Sequence, residues 1–500
     1  MPNKMTNYTK HVVKGTFVVF IVSILAGILG YIVRLVLARG LSVEDFGLFY
    51  AVFAFLALLG VFKSFGFDRS LIKFVPEFLH TKKYGFIKSS IIYAALFQLV
   101  TNSVIIVLIY LLSNYISLNL FHTQKADIVL KLMAIAFFID SFVNTLKFSF
   151  QGFQRMTLFA GIDAIRMLVI LVIITIGLKL NYGILSPISA YIIAQIILLI
   201  VFGWILINRV FPEFISSEFV VNKNLFKKIA KYSIFVMVSG TAAIILGYTD
   251  TMILTYFSGV TAVAMYNVAL PTAKILIYLP TAVGSILLPL ASELWIRKKD
   301  KLLAAGMNLL YKYSLIAAIP MAFVILSFSE LIISIFFGKN YLLASMTMKI
   351  LSIGMIFYTI HLINVNFFLG IGRPEIQSKI LYIAALFNLA AGLILIPLFD
   401  TIGAAIATSS SLLIMMTMGL IYMKKFIIMK FPIKIWTRIL LAGIGFIVLI
   451  GILKKVISLN VWVETGIILS IAAVFYVLFL FLFRVIDIKE VSALYVRIMK

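Results

Sequence analysis

Apolar stretches of about twenty residues recur along the chain, separated by short polar breaks. That is the length an α-helix needs to cross the hydrocarbon core of a bilayer. Fourteen such runs stand out, at approximately 17–38, 46–65, 89–112, 128–149, 157–178, 184–207, 232–256, 263–288, 309–328, 346–369, 376–398, 402–422, 437–453 and 461–483. The pattern predicts an all-α integral membrane protein with about fourteen transmembrane helices. The first run is too long for the core of a signal peptide and no small-residue cleavage pattern follows it, so it is expected to remain as a helix.

Composition agrees: 63% of the residues are hydrophobic and only 12% are charged, which is not the balance of a soluble chain. The formal charge of +25 changes the picture only through its distribution. With the N-terminus placed inside, most Lys and Arg fall in the segments that then face the cytoplasm, the inside-positive asymmetry of multi-pass proteins. Both termini are therefore expected in the cytoplasm, at the plasma or inner membrane, and the basic balance no longer argues for nucleic acid as a partner. The absence of cysteine rules out disulfides, thiolate nucleophiles and Cys metal sites.

The chain also repeats itself. GLSVEDFGLFYAV (40–52) lies over FSGVTAVAMYNVA (257–269), SNYISLNLF (113–121) over SELIISIFF (329–337), FQGFQRM (150–156) over FLGIGRP (368–374), and YGILSPISA (182–190) over IGAAIATSS (402–410). The four offsets lie between 216 and 220, each at the same junction of a six-helix set, so two copies of one unit are expected. Six is even, so both copies have one orientation, related by a pseudo-twofold axis along the membrane normal. The expected division is an N-lobe at 1–207, a cytoplasmic linker at 208–228, a C-lobe at 229–426, and two peripheral helices with a tail at 427–500. In the FQGFQRM and FLGIGRP corners, Gly152 and Gly370 are expected to break their helices, with Arg155 and Arg373 on the inner side.

The segments ARGLSVEDFGLFYAVFAF (38–55) and FSELIISIFFGKNY (328–341) resemble those of polysaccharide-transporter proteins, the lipid-linked oligosaccharide flippases. These belong to the multidrug/oligosaccharidyl-lipid/polysaccharide exporter superfamily, together with multidrug and toxic compound extruders and peptidoglycan-precursor flippases. The resemblance covers essentially the whole chain. It implies two six-helix lobes around a central cavity that opens alternately to the two faces, and basic cavity residues that meet the phosphate or pyrophosphate of a polyprenyl-linked glycan.

Charged groups inside a span are costly and usually face a cavity or one another. Asn267, Pro271, Lys274, Tyr278, Thr281 and Ser285 fall on one face if 263–288 is a continuous helix, with Lys274 near mid-membrane, facing the cavity or tied to carbonyls as a structural lysine. Asp140, Asn144, Lys147 and Gln151 form a similar stripe, where Lys147 contacts substrate or snorkels to the interface. Asp163 and Arg166, three residues apart, are placed to pair with each other or to meet substrate. Ser23, Gly27, Gly30 and Arg34 share a face. One repeat further on Asp250 lies over Val33, beside Arg34, so Arg34 and Asp250 are candidates to form or line an outer gate, with interfacial snorkelling of Arg34 as the competing reading. His361 and Asn364 lie near mid-span, as structure or as site. Lys63 is expected to face the cytoplasmic entrance or interface.

No enzyme signature is present: the outer connections are short, the P-loop pattern is absent, and no histidine cluster suits a metal or other cofactor. The expected function is inner-to-outer translocation of a lipid-linked oligosaccharide for surface glycan assembly. Asp140, Asp163 or Asp250 are candidates to couple it to proton or sodium movement. Besides membrane lipids, a glycan polymerase or glycosyltransferase machinery is an expected partner. The alternatives are an exporter of organic cations from the same superfamily and a membrane-embedded glycan polymerase.

Overall fold

The computed structural model describes residues 2–486, with side chains from residue 19 onward apart from 239, 279, 282, 283, 285 and 286. All its regular elements are helical: α1 (Pro2–Gly40), α2 (Val43–Ser64), α3 (Phe67–His80), α4 (Tyr84–Asn119), α5 (Lys125–Gly152), α6 (Met156–Lys179), α7 (Leu185–Ile205), α8 (Glu213–Ser216), α9 (Lys223–Phe257), α10 (Gly259–Ala273), α11 (Tyr278–Ile296), α12 (Asp300–Phe336), α13 (Ala344–Gly370), α14 (Pro374–Met423), α15 (Ile433–Val456) and α16 (Val461–Leu482).

By length and apolarity eleven of the described helices can cross a membrane, or twelve when α9, bent by 40° between Val238 and Gly240, counts as one span. The fourteen predicted runs do not map onto them one for one. α14 is 50 residues long and takes in two runs, 376–398 and 402–422, divided at Asp400, whose φ of 54° and ψ of −132° are non-helical. The run at 263–288 is shared between α10 and α11, with one 3-10 turn, Lys274–Ile277, between them. α12 carries a break of its own at Phe328.

The apolar pattern does not predict α3, because residues 66–88 read as a polar connection. Phe67, Leu71, Phe74, Val75 and Phe78 are buried while Arg69, Lys73, Glu77 and His80 are exposed. This is the period of an amphipathic helix, here of 14 residues and too short to span. Phe65 (φ 46°) and Gly66 (φ 80°) make the turn from α2 into α3. A Cβ at Gly66 would collide with the carbonyl oxygen of Ser233, so both the backbone angle and the space demand glycine.

Two compact units emerge from the contacts: residues 1–267 with 396–400, and residues 268–395 with 401–500. In the first, the α3 face joins Ile87, Val143, Phe150, Phe202 and Ile229 in one apolar core, held by close side-chain packing. In the second, α15 and α16 pack together, Tyr476 donating to the carbonyl of Ile316 on α12 at 3.0 Å and stacking edge-on with Phe446. Their other faces expose Leu441, Val448, Ile452, Val474 and Leu478, as suits helices that meet lipid.

The two repeat corners have one local geometry. Arg155 N–H donates to Phe150 C=O and Gln154 N–H to Gln151 C=O; one repeat further on, Arg373 donates to Phe368 and Gly372 to Leu369. This is a Schellman ending, and the left-handed residue in it is Gln154 (φ 59°) or Gly372 (φ 74°). Gly152 and Gly370 therefore do not break their helices; each is the last helical residue. Their role is close approach. A Cβ on Gly152 would lie 2.7 Å from Leu71 O and 2.9 Å from Val75 Cβ, and one on Gly370 2.8 Å from Leu288 O and 3.4 Å from Ser292 N. Leu71 and Val75 are the repeat equivalents of Leu288 and Ser292, so each unit packs α5 on α3, or α13 on α11, in one register.

Gly152→Ala is expected to destabilise the fold by about 1–3 kcal/mol through overpacking. Gln154→Gly is expected to stabilise it by about 0.5–1 kcal/mol by relieving the positive φ. Thermal unfolding of the detergent-solubilised protein checks both signs; a neutral Gly152→Ala would remove the close-approach role.

Candidate functional site

Polar groups converge within the first unit where α2, α5, α6, α7 and α9 meet. One face of α5 presents Asp140, Asn144 and Lys147 at spacings of four and three. Asp140 Oδ2 accepts from Lys63 Nζ at 2.5 Å and from Asn144 Nδ2 at 2.8 Å, and its Oδ1 lies 3.3 Å from Arg166 Nη2. Lys147 Nζ donates to Asp163 Oδ2 at 2.5 Å. Asp163 and Arg166 thus do not pair with each other across the i, i+3 spacing; each turns to a partner on α5.

The cluster is held from behind. Thr101 Oγ1 and Asn102 Nδ2 of α4 donate to the carbonyl of Lys63 at 2.8 and 3.1 Å, and Thr145 of α5 donates to Gln98 of α4 at 2.9 Å. The Lys63 ammonium also lies 4.4 Å from the Phe137 ring centroid. Its side chain is only 10% exposed. Three cations face two carboxylates, leaving one positive charge in excess. In apolar surroundings, where screening is weak, that excess attracts an anion.

Two adjoining cavities open on the cluster. One, of about 380 Å³, is lined by Phe53, Phe137, Tyr191 and Tyr248, and by Asp140, Arg166 and Gln195. The other, of about 300 Å³, is lined by Ser64, Asp68, Arg69, Lys147 and Thr241. Gly60, Lys63, Asn144 and Ile244 border both. Reasoning from sequence misses Arg69, because α3 reads as a connection, and it misses Tyr191, Gln195 and Tyr248, which are single polar groups without a stripe. Their only signal is polarity within an apolar run.

Arg34 and Asp250 lie elsewhere in this unit, both at α10. Arg34 Nη1 donates to the carbonyl of Asn267 at 2.6 Å and to its Oδ1 at 3.2 Å, with the guanidinium 4.1 Å from the Tyr50 centroid. Proline at 271 has no N–H for the carbonyl four residues earlier, which is that of Asn267, so Arg34 supplies the missing donor. Asp250, 4% exposed, accepts from Tyr266 Oη at 2.8 Å.

The remaining candidates fall in the second unit. The continuous stripe expected through Lys274, Tyr278 and Thr281 is interrupted, because Lys274 opens the 3-10 turn and Tyr278 starts a new helix. All three are exposed, and the side chain of Ser285 lies outside the described residues. His361, 1% exposed, is within 3.2 Å of Met415 O through Nδ1 and 3.3 Å of Gln377 Nε2 through Nε2. That is a hydrogen-bonded core histidine. Asn364 accepts from Tyr311 Oη.

Comparison with known proteins identifies the class. The model of the polysaccharide biosynthesis protein family matches residues 12–295, and the MatE model matches 237–394. An uncharacterized membrane protein of Methanocaldococcus jannaschii is 33% identical over 99% of this chain and 100% of its own. The "Probable low-salt glycan biosynthesis flippase Agl15" of Haloferax volcanii is 26% identical over 45% of this chain and 49% of its own. Among solved structures, the lipid II flippase MurJ in an inward closed conformation matches with a TM-score of 0.73 and 20% identity, over 94% of this chain and 99% of that one. The chain belongs to the polysaccharide biosynthesis protein family and has the fold of the multidrug/oligosaccharidyl-lipid/polysaccharide exporter superfamily. It is a flippase-like, multi-pass membrane transporter, and its named relatives are transporters rather than enzymes.

Removing Asp140 leaves Lys63 and Arg166 buried without their carboxylate. Asp140→Ala is expected to lose about 3–5 kcal/mol of stability, whereas Asp163→Ala, which strands one cation rather than two and removes a side chain that is 37% exposed, is expected to lose less. Parallel unfolding curves of the two variants test this ranking, and equal losses would contradict it.

Proposed function

We propose that this protein is an alternating-access flippase that carries a lipid-linked oligosaccharide, a polyprenyl phosphate or pyrophosphate glycan, from the inner to the outer leaflet. The observation that carries this reading is the cavity of the first unit: cations of α2, α3, α5 and α6 outnumber carboxylates inside an otherwise apolar bundle. A phosphate-bearing head matches that charge, while the lipid tail remains in the bilayer. Family membership supports the same substrate class. The two repeats are the bodies that rock, and residues 208–228 link them on the cytoplasmic side, with both termini cytoplasmic in the plasma or inner membrane.

Arg34 and Asp250, each bonded to α10, form the outer gate of this cycle. Asp140, Asp163 and Asp250 are the groups available to couple transport to proton or sodium movement, and Lys274 and Tyr278 are the substrate contacts that the second unit offers. The flipped product is passed to a glycan polymerase or glycosyltransferase machinery. An exporter of organic cations would require the opposite balance, with carboxylates in excess within the cavity.

A leaflet assay in proteoliposomes with a fluorescent lipid-linked oligosaccharide tests the reading. Arg166→Ala and Lys274→Ala are each expected to slow translocation by roughly 10- to 100-fold, the loss of one charge-assisted contact, with reconstitution unchanged. Unaltered rates in both variants, or efflux of a cationic dye by the wild type in place of glycan movement, would overturn it.

A further inference from the structure

The two cavities of the first unit differ in chemistry, and the difference divides the head of a substrate between them. The larger is walled by rings: Phe53 lies 5.9 Å from Tyr191 and 6.2 Å from Tyr248, centroid to centroid. It also holds hydrogen-bonding capacity that the protein does not use. Gln195 lines it, is 3% exposed, and has no partner for Oε1; Arg166 lines it with Nε and Nη2 both lacking a hydrogen bond, Nη2 having only its longer ion contact with Asp140. A buried acceptor and buried donors left open are costly unless something completes them.

The smaller cavity is cationic. Lys63, Arg69 and Lys147 face it. Its one acidic liner, Asp68, is engaged at the junction of α2 and α3, Oδ1 accepting from Ser64 Oγ and Arg69 N–H, both at 2.8 Å. Among the described residues Arg69 makes no ion pair; its guanidinium passes 5.8 Å from the Phe148 ring and against Gly240, where a Cβ would come within 2.8 Å of Nη1.

We infer that the larger chamber is a sugar subsite for the first monosaccharide attached to the lipid phosphate, and that the smaller chamber holds that phosphate. A pyranose presents an apolar C–H face to aromatic rings and a rim of hydroxyls that both donate and accept. It therefore satisfies the walls, Gln195 Oε1 and the Arg166 N–H groups together. A volume of about 380 Å³ lies at the low end of the roughly 300–1,000 Å³ usual for ligand pockets, which suits a short saccharide and not a long chain. This assignment rests on the reading of the protein as a lipid-linked glycan flippase, and it adds that recognition includes the sugar next to the phosphate.

Binding of farnesyl phosphate and of farnesyl phosphoryl glucose to the full-length protein in detergent, read by calorimetry, tests the division. The wild type is expected to bind the glucosylated probe about tenfold more tightly than the bare phosphate, the worth of one or two completed hydrogen bonds. Gln195→Leu and Tyr248→Ala should abolish that increment and leave farnesyl phosphate unaffected, while Arg69→Ala weakens both probes by the same factor. If Tyr248→Ala does not fold, Gln195→Leu decides alone. Equal affinity of the wild type for the two probes, or equal losses for both in Gln195→Leu, would overturn the sugar subsite without touching the lipid-phosphate reading. Binding of neither probe by the wild type would overturn both.

Discussion

A carboxylate inside an apolar bundle must be paired, and Asp140 is where this chain meets that demand. Lys63, Asn144 and Arg166 all turn to it, so α2, α5 and α6 are fixed against one another by the cost of leaving any one charge alone. The placement of the Lys63 ammonium and of the Arg166 guanidinium follows from that arrangement. Because two carboxylates cannot neutralise three cations, the structural solution also leaves a positive site.

The same logic explains Arg34. A proline within an apolar helix leaves one carbonyl without its donor, and in hydrocarbon no water replaces it. The Arg34 guanidinium takes that role at Asn267 while lying over Tyr50. Tyr50 and Asn267 stand one repeat apart, so one cation touches equivalent positions of both copies. Asp250 likewise reaches α10, accepting from Tyr266. Two groups of opposite charge thus both hold α10.

The FQGFQRM and FLGIGRP corners show how far pattern alone can be read. Their spacing points correctly to one local structure in two places, because a Schellman ending and a close helix crossing each impose residue type at fixed positions. Which glycine does what is not legible: Gly152 reads as a helix breaker, yet it is helical and small because Val75 and Leu71 lie against it. The stripe at 267–285 is legible for polarity and not for continuity, since a 3-10 turn after Pro271 changes which face Tyr278 and Thr281 present.

By itself the sequence determined the class of this protein: many apolar runs of spanning length, an all-helical membrane fold and the membership of a transporter superfamily. These follow from local composition, because a bilayer imposes length and apolarity on each span independently. The tertiary structure alone decided the pairing of the charges. Asp163 faces Lys147 rather than Arg166, and Lys63 pairs with Asp140, since ion pairs form between helices whose approach is set by packing far away in sequence. The same holds for the two chambers, whose walls come from several helices and whose single polar residues, Gln195 among them, acquire meaning only beside one another.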